Sequence, residues 1–158
     1  MSDLFVRGMT PDEFDAYRRR SASSYAAEHV RAGDWSPDQA LELAEKETDE
    51  LLPDGVKTAG VVLMVGESAG QVVGIVWAGP APRRGPGWWI YDIEVVPNER
   101  GRGYGRALLE AAEHEIQRRG GDTVGLNVFG GNDAARRLYE SSGYAITSAQ
   151  MRKPLIAP

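Results

Sequence analysis

The stretch Trp88-Trp89-Ile90-Tyr91-Asp92-Ile93-Glu94-Val95-Val96-Pro97-Asn98-Glu99-Arg100-Gly101-Arg102-Gly103-Tyr104-Gly105-Arg106 decides how the rest of the chain is read. Its apolar first half, Trp88 to Val96, has the composition of a strand. Pro97 cannot donate to a sheet ladder and Asn98 tolerates turn geometry, so the strand should stop there. The alanine- and leucine-rich run from Ala107 then reads as a helix that begins within the glycines. Glycines at alternate positions leave backbone N–H groups bare of side chains. The first helical turn adds its own unpaired donors and the positive end of the dipole. Together they form a cradle for an anion. Arg100, Arg102 and Arg106 add charge to the same turn, which suits a phosphate or pyrophosphate better than one carboxylate. On the glycines alone, a plain strand-to-helix turn with solvated arginines serves equally well.

Two other phosphate-binding patterns fit poorly. A Walker loop needs a Gly-Lys-Ser/Thr ending, which is absent, and the dinucleotide fingerprint needs Gly-x-Gly-x-x-Gly where this chain has Gly101-x-Gly103-x-Gly105. Composition narrows the field further. At 158 residues the chain should form one domain, 1–158, large enough to bury its own core. With 18 Lys and Arg against 23 Asp and Glu, its net charge of -5 disfavours a nucleic-acid surface, whose affinity depends on neutralising phosphates. The absence of cysteine removes disulfides, thiolate metal sites and a cysteine nucleophile, and fits a cytoplasmic location. His29 and His114 stand outside any clustered ligand pattern, so no metal site is expected. Met1 to Arg7 carries no long apolar segment behind a basic one, and neither a signal peptide nor a membrane span is expected.

Taken in order, Leu4 to Val6 reads as a first strand, followed by a helix that starts at Thr10-Pro11-Asp12-Glu13 and runs to about Val30. Ser36-Pro37-Asp38-Gln39 opens a second helix, which Pro53-Asp54-Gly55 ends. Val61 to Val65 and Val72 to Trp77 suit an antiparallel hairpin across Gly66 to Gln71. Gly79 to Gly87, with Pro80, Pro82 and Pro86, reads as a loop before the strand at Trp88. The helix after the cradle ends at Gly120-Gly121, Val124 to Val128 is the next strand, and Asn132-Asp133 caps a helix closed by Gly143. Tyr144 to Met151 is expected to form the last strand and Pro154 to Pro158 to fray. Helices first, then meander strands, then one strand–helix–strand unit argue for an α+β fold rather than a doubly wound nucleotide fold.

The second cluster of interest is Asn132-Asp133-Ala134-Ala135-Arg136-Arg137-Leu138-Tyr139-Glu140-Ser141-Ser142-Gly143-Tyr144. Arg100-x-x-Gly103-x-Gly105 after an apolar strand, followed by this Asn-x-x-Ala-x-x-Leu-Tyr-Glu-x-x-Gly-Tyr pattern, resembles the GCN5-related N-acetyltransferases. The matching residues cover about 88 to 144. The resemblance implies a mixed, mostly antiparallel central sheet with splayed strands and helices on both faces. It also implies acetyl-coenzyme A as acyl donor and an amine as acceptor, either a small molecule or a peptide.

Carried across residue by residue, the resemblance places the donor's pyrophosphate on the amides of Gly101, Gly103, Tyr104 and Gly105, among Arg100, Arg102 and Arg106. Val95 and Val96 would act through their backbones where the strand bulges away from its neighbour, and Asn132 and Ala135 would meet the pantetheine arm. Tyr139 would be the general acid for the departing thiolate. A protonated amine must lose a proton before it attacks, and Glu94 is the candidate base. Asp92, two residues earlier and so on the same strand face, could be a substrate contact or a second acid. The alternative of a different class is an acyl-coenzyme A sensor of the same fold without turnover. The protein is expected to be a monomer or a homodimer, with no nucleic-acid or membrane partner.

Overall fold

Thr10 begins the first helix with a reciprocal cap: its hydroxyl accepts from the Glu13 amide at 3.3 Å, and the Glu13 carboxylate accepts from the Thr10 amide at 2.9 Å. The same carboxylate pairs with Arg7, which also reaches Glu67, so one guanidinium ties together a helix and two strands. That pairing pulls Glu13 down to about 2. The computed structural model describes residues 3–84 and 87–156. Pro86 of the expected loop and the last two positions of the expected frayed end, Ala157 and Pro158, lie outside the described residues.

In chain order the elements are β1 (Phe5–Gly8), α1 (Pro11–Arg31), α2 (Ala40–Leu51), β2 (Val62–Ser68), β3 (Gln71–Pro80), β4 (Trp88–Val95), α3 (Tyr104–Arg118), β5 (Val124–Leu126) and α4 (Asp133–Ser141). Among the described residues the five strands form one sheet in the order β1-β2-β3-β4-β5, antiparallel except for the parallel β4–β5 pair. The α+β architecture with a mixed, mostly antiparallel sheet agrees with the expectation. The β2–β3 hairpin is tighter than the sequence suggested. Ser68 pairs with Gln71 across Ala69 and Gly70, both at positive φ, the backbone signature of a two-residue primed turn. β3 also continues through Pro80, so the proline-rich loop is shorter than expected.

Apolar side chains cover both faces. On one, Leu108, Leu109, Ala112 and Ile116 of α3 pack with Val62, Val76, Ile90 and Tyr139. On the other, Phe14 and Tyr17 of α1 pack with Leu63, Val65, Ile75 and Trp77. No helix among the described residues is long and apolar enough to cross a membrane.

The expected last strand at Tyr144 to Met151 does not form. β5 offers an edge of only three residues, too short to hold it. The segment is instead fixed at its ends: the Tyr144 hydroxyl donates to Glu113 at 2.8 Å, and Arg152 donates to the Ala32 and Gly33 carbonyls. Ile146 is left 66% exposed. Replacing the fully buried Leu108 with Ala should therefore cost about 3 kcal/mol in urea unfolding, and Ile146→Ala less than about 0.5 kcal/mol. A large loss at Ile146 would mean that the segment is packed after all.

Candidate active site

β4 and β5 pair only at Trp88–Val124, Trp89–Gly125 and Ile90–Leu126, and then part. On its other side β4 carries a bulge. Trp77 of β3 faces Asp92 while the adjacent Ala78 faces Ile90, so Tyr91 is the extra residue. The bulge inverts the alternation. Ile90 packs toward α3, Tyr91 packs with Trp77 on the α1 face, and Asp92 and Glu94 follow on that α1 face. Ile93 and Val95 return to the α3 side. A strand that is apolar at most positions thus sends two carboxylates to one face beside the gap.

Below the gap lies the glycine-rich turn. Gly101 and Gly103 adopt φ of +79° and +82°, and a Cβ on either would meet nothing within 4 Å, so the turn needs glycine for its backbone and faces open space. The first backbone bond of α3 runs from the Ala107 amide to the Gly103 carbonyl at 3.1 Å. Among the described residues the amides of Gly101 through Arg106 have no backbone acceptor, and no side chain caps the helix. These bare donors at a positive helix end meet the geometric requirement for a diphosphate. Gly105 serves a different purpose, since a Cβ there would sit 3.3 Å from Leu138 of α4.

The side chains around the turn are engaged elsewhere. Arg100 Nε donates to the Val95 carbonyl at 3.0 Å, Arg102 pairs with Glu99 at 3.2 Å, and Arg106 donates to Ser142 and Ser141 at the end of α4. The Tyr104 hydroxyl points back to β1 and β2, bonding Asp3 and Ser68, so only its amide belongs to the cradle. The Val96 amide is committed to the Val73 carbonyl. Asn132 caps α4 by accepting from the Ala135 amide at 3.2 Å.

Tyr139 lies on α4 with its ring in the core below β4, 5.9 Å from the ring of Tyr144. Its hydroxyl makes no hydrogen bond within the described residues. Burial, and then the negative charge of Asp92, pushes the phenol up to about 12, which keeps it protonated at neutral pH. Across the gap, Asp92 Oδ2 accepts from the Tyr17 hydroxyl at 2.7 Å and from the Ser21 hydroxyl at 3.5 Å. Protein atoms crowd this carboxylate, and the desolvation pushes it up to about 6 against the pull of the Tyr17 bond. Glu94 stands nearer the solvent, its side chain 29% exposed and 3.7 Å from Arg20.

A family model described as the acetyltransferase (GNAT) family matches residues 16–144. The chain belongs to the GNAT family of acetyltransferases. YycN of Bacillus subtilis, an uncharacterized N-acetyltransferase, is 32% identical over 154 residues, spanning 96% of this GNAT chain and 99% of its own. Its crystal structure superposes with a TM-score of 0.87 at 31% identity, covering 98% and 99% of the two chains. YdgE of the same organism, also an uncharacterized N-acetyltransferase, is 28% identical over 154 residues, 95% of this chain and 97% of its own. The PaiA N-acetyltransferase of Thermoplasma acidophilum, solved with coenzyme A, shares the fold with a TM-score of 0.69 at 13% identity, covering 95% and 94%.

Within this GNAT fold, the bare loop amides, Tyr139 and the two β4 carboxylates gather around one gap, while the Arg106 guanidinium and the Tyr104 phenol turn away from it. Tyr17 and Ser21 were not singled out in the sequence as site residues. Their signal is an i, i+4 pair of hydroxyls on the buried face of α1, where each polar group needs a partner.

The shifted carboxylate has a measurable consequence. Because its folded value lies above the ordinary one of 3.8, Asp92 favours folding most at low pH, and that advantage is lost as pH rises through 6. Asp92→Asn should therefore gain stability relative to the parent between pH 4 and pH 7, by up to about 3 kcal/mol in urea titrations. A stability difference flat across that range would contradict the buried, charge-averse setting of Asp92.

Proposed function

We propose that the protein transfers an acetyl group from acetyl-coenzyme A to a primary amine by direct attack. The observation that carries this reading is the row of amides from Gly101 to Arg106 without a backbone acceptor, at the start of the helix that packs with Tyr139. The family membership and the coenzyme A bound by the Thermoplasma relative of the same fold support it.

Coenzyme A, when bound, supplies an activated thioester. The loop amides would hold its diphosphate, with the charge of Arg100 and Arg102 beside them. Val95, facing the gap, would align the pantetheine arm once its carbonyl is released by Arg100, and Asn132 and Ala135 would border that arm at the start of α4. On the α1 side, Glu94 and Asp92 present negative charge to an incoming ammonium and can take its proton. The neutral nitrogen would then be free to attack the carbonyl carbon, with the C–N bond forming as the C–S bond breaks. Tyr139 would give its proton to the departing sulfur, and the second nitrogen proton, passed through solvent, would restore the phenol. A phenol near 12 is a weak acid beside a thiol of ~8.5, so its work is an aimed hydrogen bond completed only as charge develops on sulfur.

Tyr139→Phe should lower kcat about 100-fold or more in a thiol-release assay over an amine panel, with the dissociation constant for acetyl-coenzyme A, from titration calorimetry, changed less than about threefold. No binding of acetyl-coenzyme A at millimolar concentration would reject the donor, and an unchanged kcat would remove Tyr139 from the acid role.

A further inference from the structure

The two carboxylates on the α1 face of β4 have different surroundings. Glu94 has a cation at 3.7 Å, the Arg20 guanidinium, and opens to solvent. That contact draws the Glu94 carboxylate toward α1 and the solvent rather than into the gap. Among the described residues no cation contacts Asp92. From α1 it meets the neutral hydroxyls of Tyr17 and Ser21, and along β4 the like charge of Glu94. Its neighbour across β3 is the uncharged Trp77, and from α4 its charge reaches Tyr139. Arg20 of α1 sits 5.9 Å above the Tyr17 ring and faces Glu94.

Position separates the two as well. Asp92 is two residues past Ile90, the last residue of β4 paired to β5, so it stands where the gap opens. Its carboxylate is the one sensed from both sides, by Tyr17 on the acceptor face and by Tyr139 on the face of α3 and α4. The Tyr91 bulge puts it there, since unbroken alternation from Ile90 would point it into the α3 core.

We propose that Asp92 is the catalytic base that takes the proton from the acceptor's ammonium, that Tyr17 and Ser21 are positioning residues that aim its Oδ2, and that Glu94 draws the cation in at the mouth. The proposal rests on the acetyl-transfer reading above and assigns its proton. The ammonium N–H bond breaks, Asp92 gains the proton, and the nitrogen lone pair is freed for the thioester carbon. Tyr17 donates to the same oxygen throughout, so it favours the ionised form of Asp92 and fixes the direction in which its other lone pairs point. A carboxylate raised to about 6 is ionised at neutral pH yet more basic than an ordinary aspartate.

The test is the pH dependence of kcat/KM from pH 5 to 9.5, for an amine turned over by the parent, in the Asp92→Asn, Glu94→Gln, Tyr17→Phe and Ser21→Ala variants. The parent should show an acid limb near pH 6. Asp92→Asn should lose that limb and about 100-fold or more of the rate at pH 7, with activity climbing steadily as pH approaches the amine's own value of ~10. Tyr17→Phe removes a bond that favours ionisation and should move the limb up by roughly one unit, whereas Glu94→Gln removes a like charge and should move it down while keeping it. Ser21→Ala should shift it less than Tyr17→Phe. Acetyl-coenzyme A affinity within about threefold of the parent confirms that each variant is folded. If Asp92→Asn keeps the limb, or Tyr17→Phe leaves it in place, Asp92 is not the base and only this assignment falls. If the parent turns over no amine in the panel, the acetyl-transfer reading falls with it.

Discussion

Parallel pairing between β4 and β5 ends after three residue pairs, and the candidate site follows from that short contact. A longer ladder would join the two strands and close the space between the faces of the sheet. The two strands part instead, and each face then contributes what it carries: from α1, the hydroxyls of Tyr17 and Ser21; from α3 and α4, bare amides and a phenol. Divergence alone would leave backbone groups unpaired beside the core. Some are satisfied within the chain, as when Arg100 donates to the Val95 carbonyl, and others are left open to solvent or ligand.

Electrostatics divides the gap. On its α3 side lie the amides of Gly101 to Arg106 and the end of a helix dipole, with arginines that are held by Glu99, by the Val95 carbonyl and by two serines. On its α1 side lie Asp92 and Glu94. One side therefore suits anions and the other cations, although the chain as a whole carries a net charge of only -5. Burial works against charge on both sides, because it raises the Asp92 carboxyl and the Tyr139 phenol away from their charged forms. Such settings are a stability cost, and proteins keep them where chemistry uses them.

Much of this could be read in the sequence because its causes are local. Pro97 ends a strand by what it lacks, Asn132 and Gly143 bracket a helix by capping, and the glycines of the cradle announce a backbone that side chains would strain. Asp92 and Glu94 could be placed on one face from their spacing. The bulge at Tyr91 could not, since it depends on how β3 and β4 settle their register and leaves no mark in the alternation itself. Tyr17 read as one more aromatic in an apolar stripe, because its partner lies 75 residues away. The strand expected at Tyr144 to Met151 had the right residues and failed for want of an edge, a property of β5 rather than of the segment.

The proposed chemistry requires loop amides and phenol to serve one bound thioester across the same gap, and a crystal structure with coenzyme A is the decisive experiment. It should show diphosphate oxygens on the amides between Gly101 and Arg106, the pantetheine arm running along Val95, and the sulfur within hydrogen-bonding reach of the Tyr139 hydroxyl. A diphosphate bound elsewhere, or a sulfur on the far side of β4 from that hydroxyl, would contradict that chemistry.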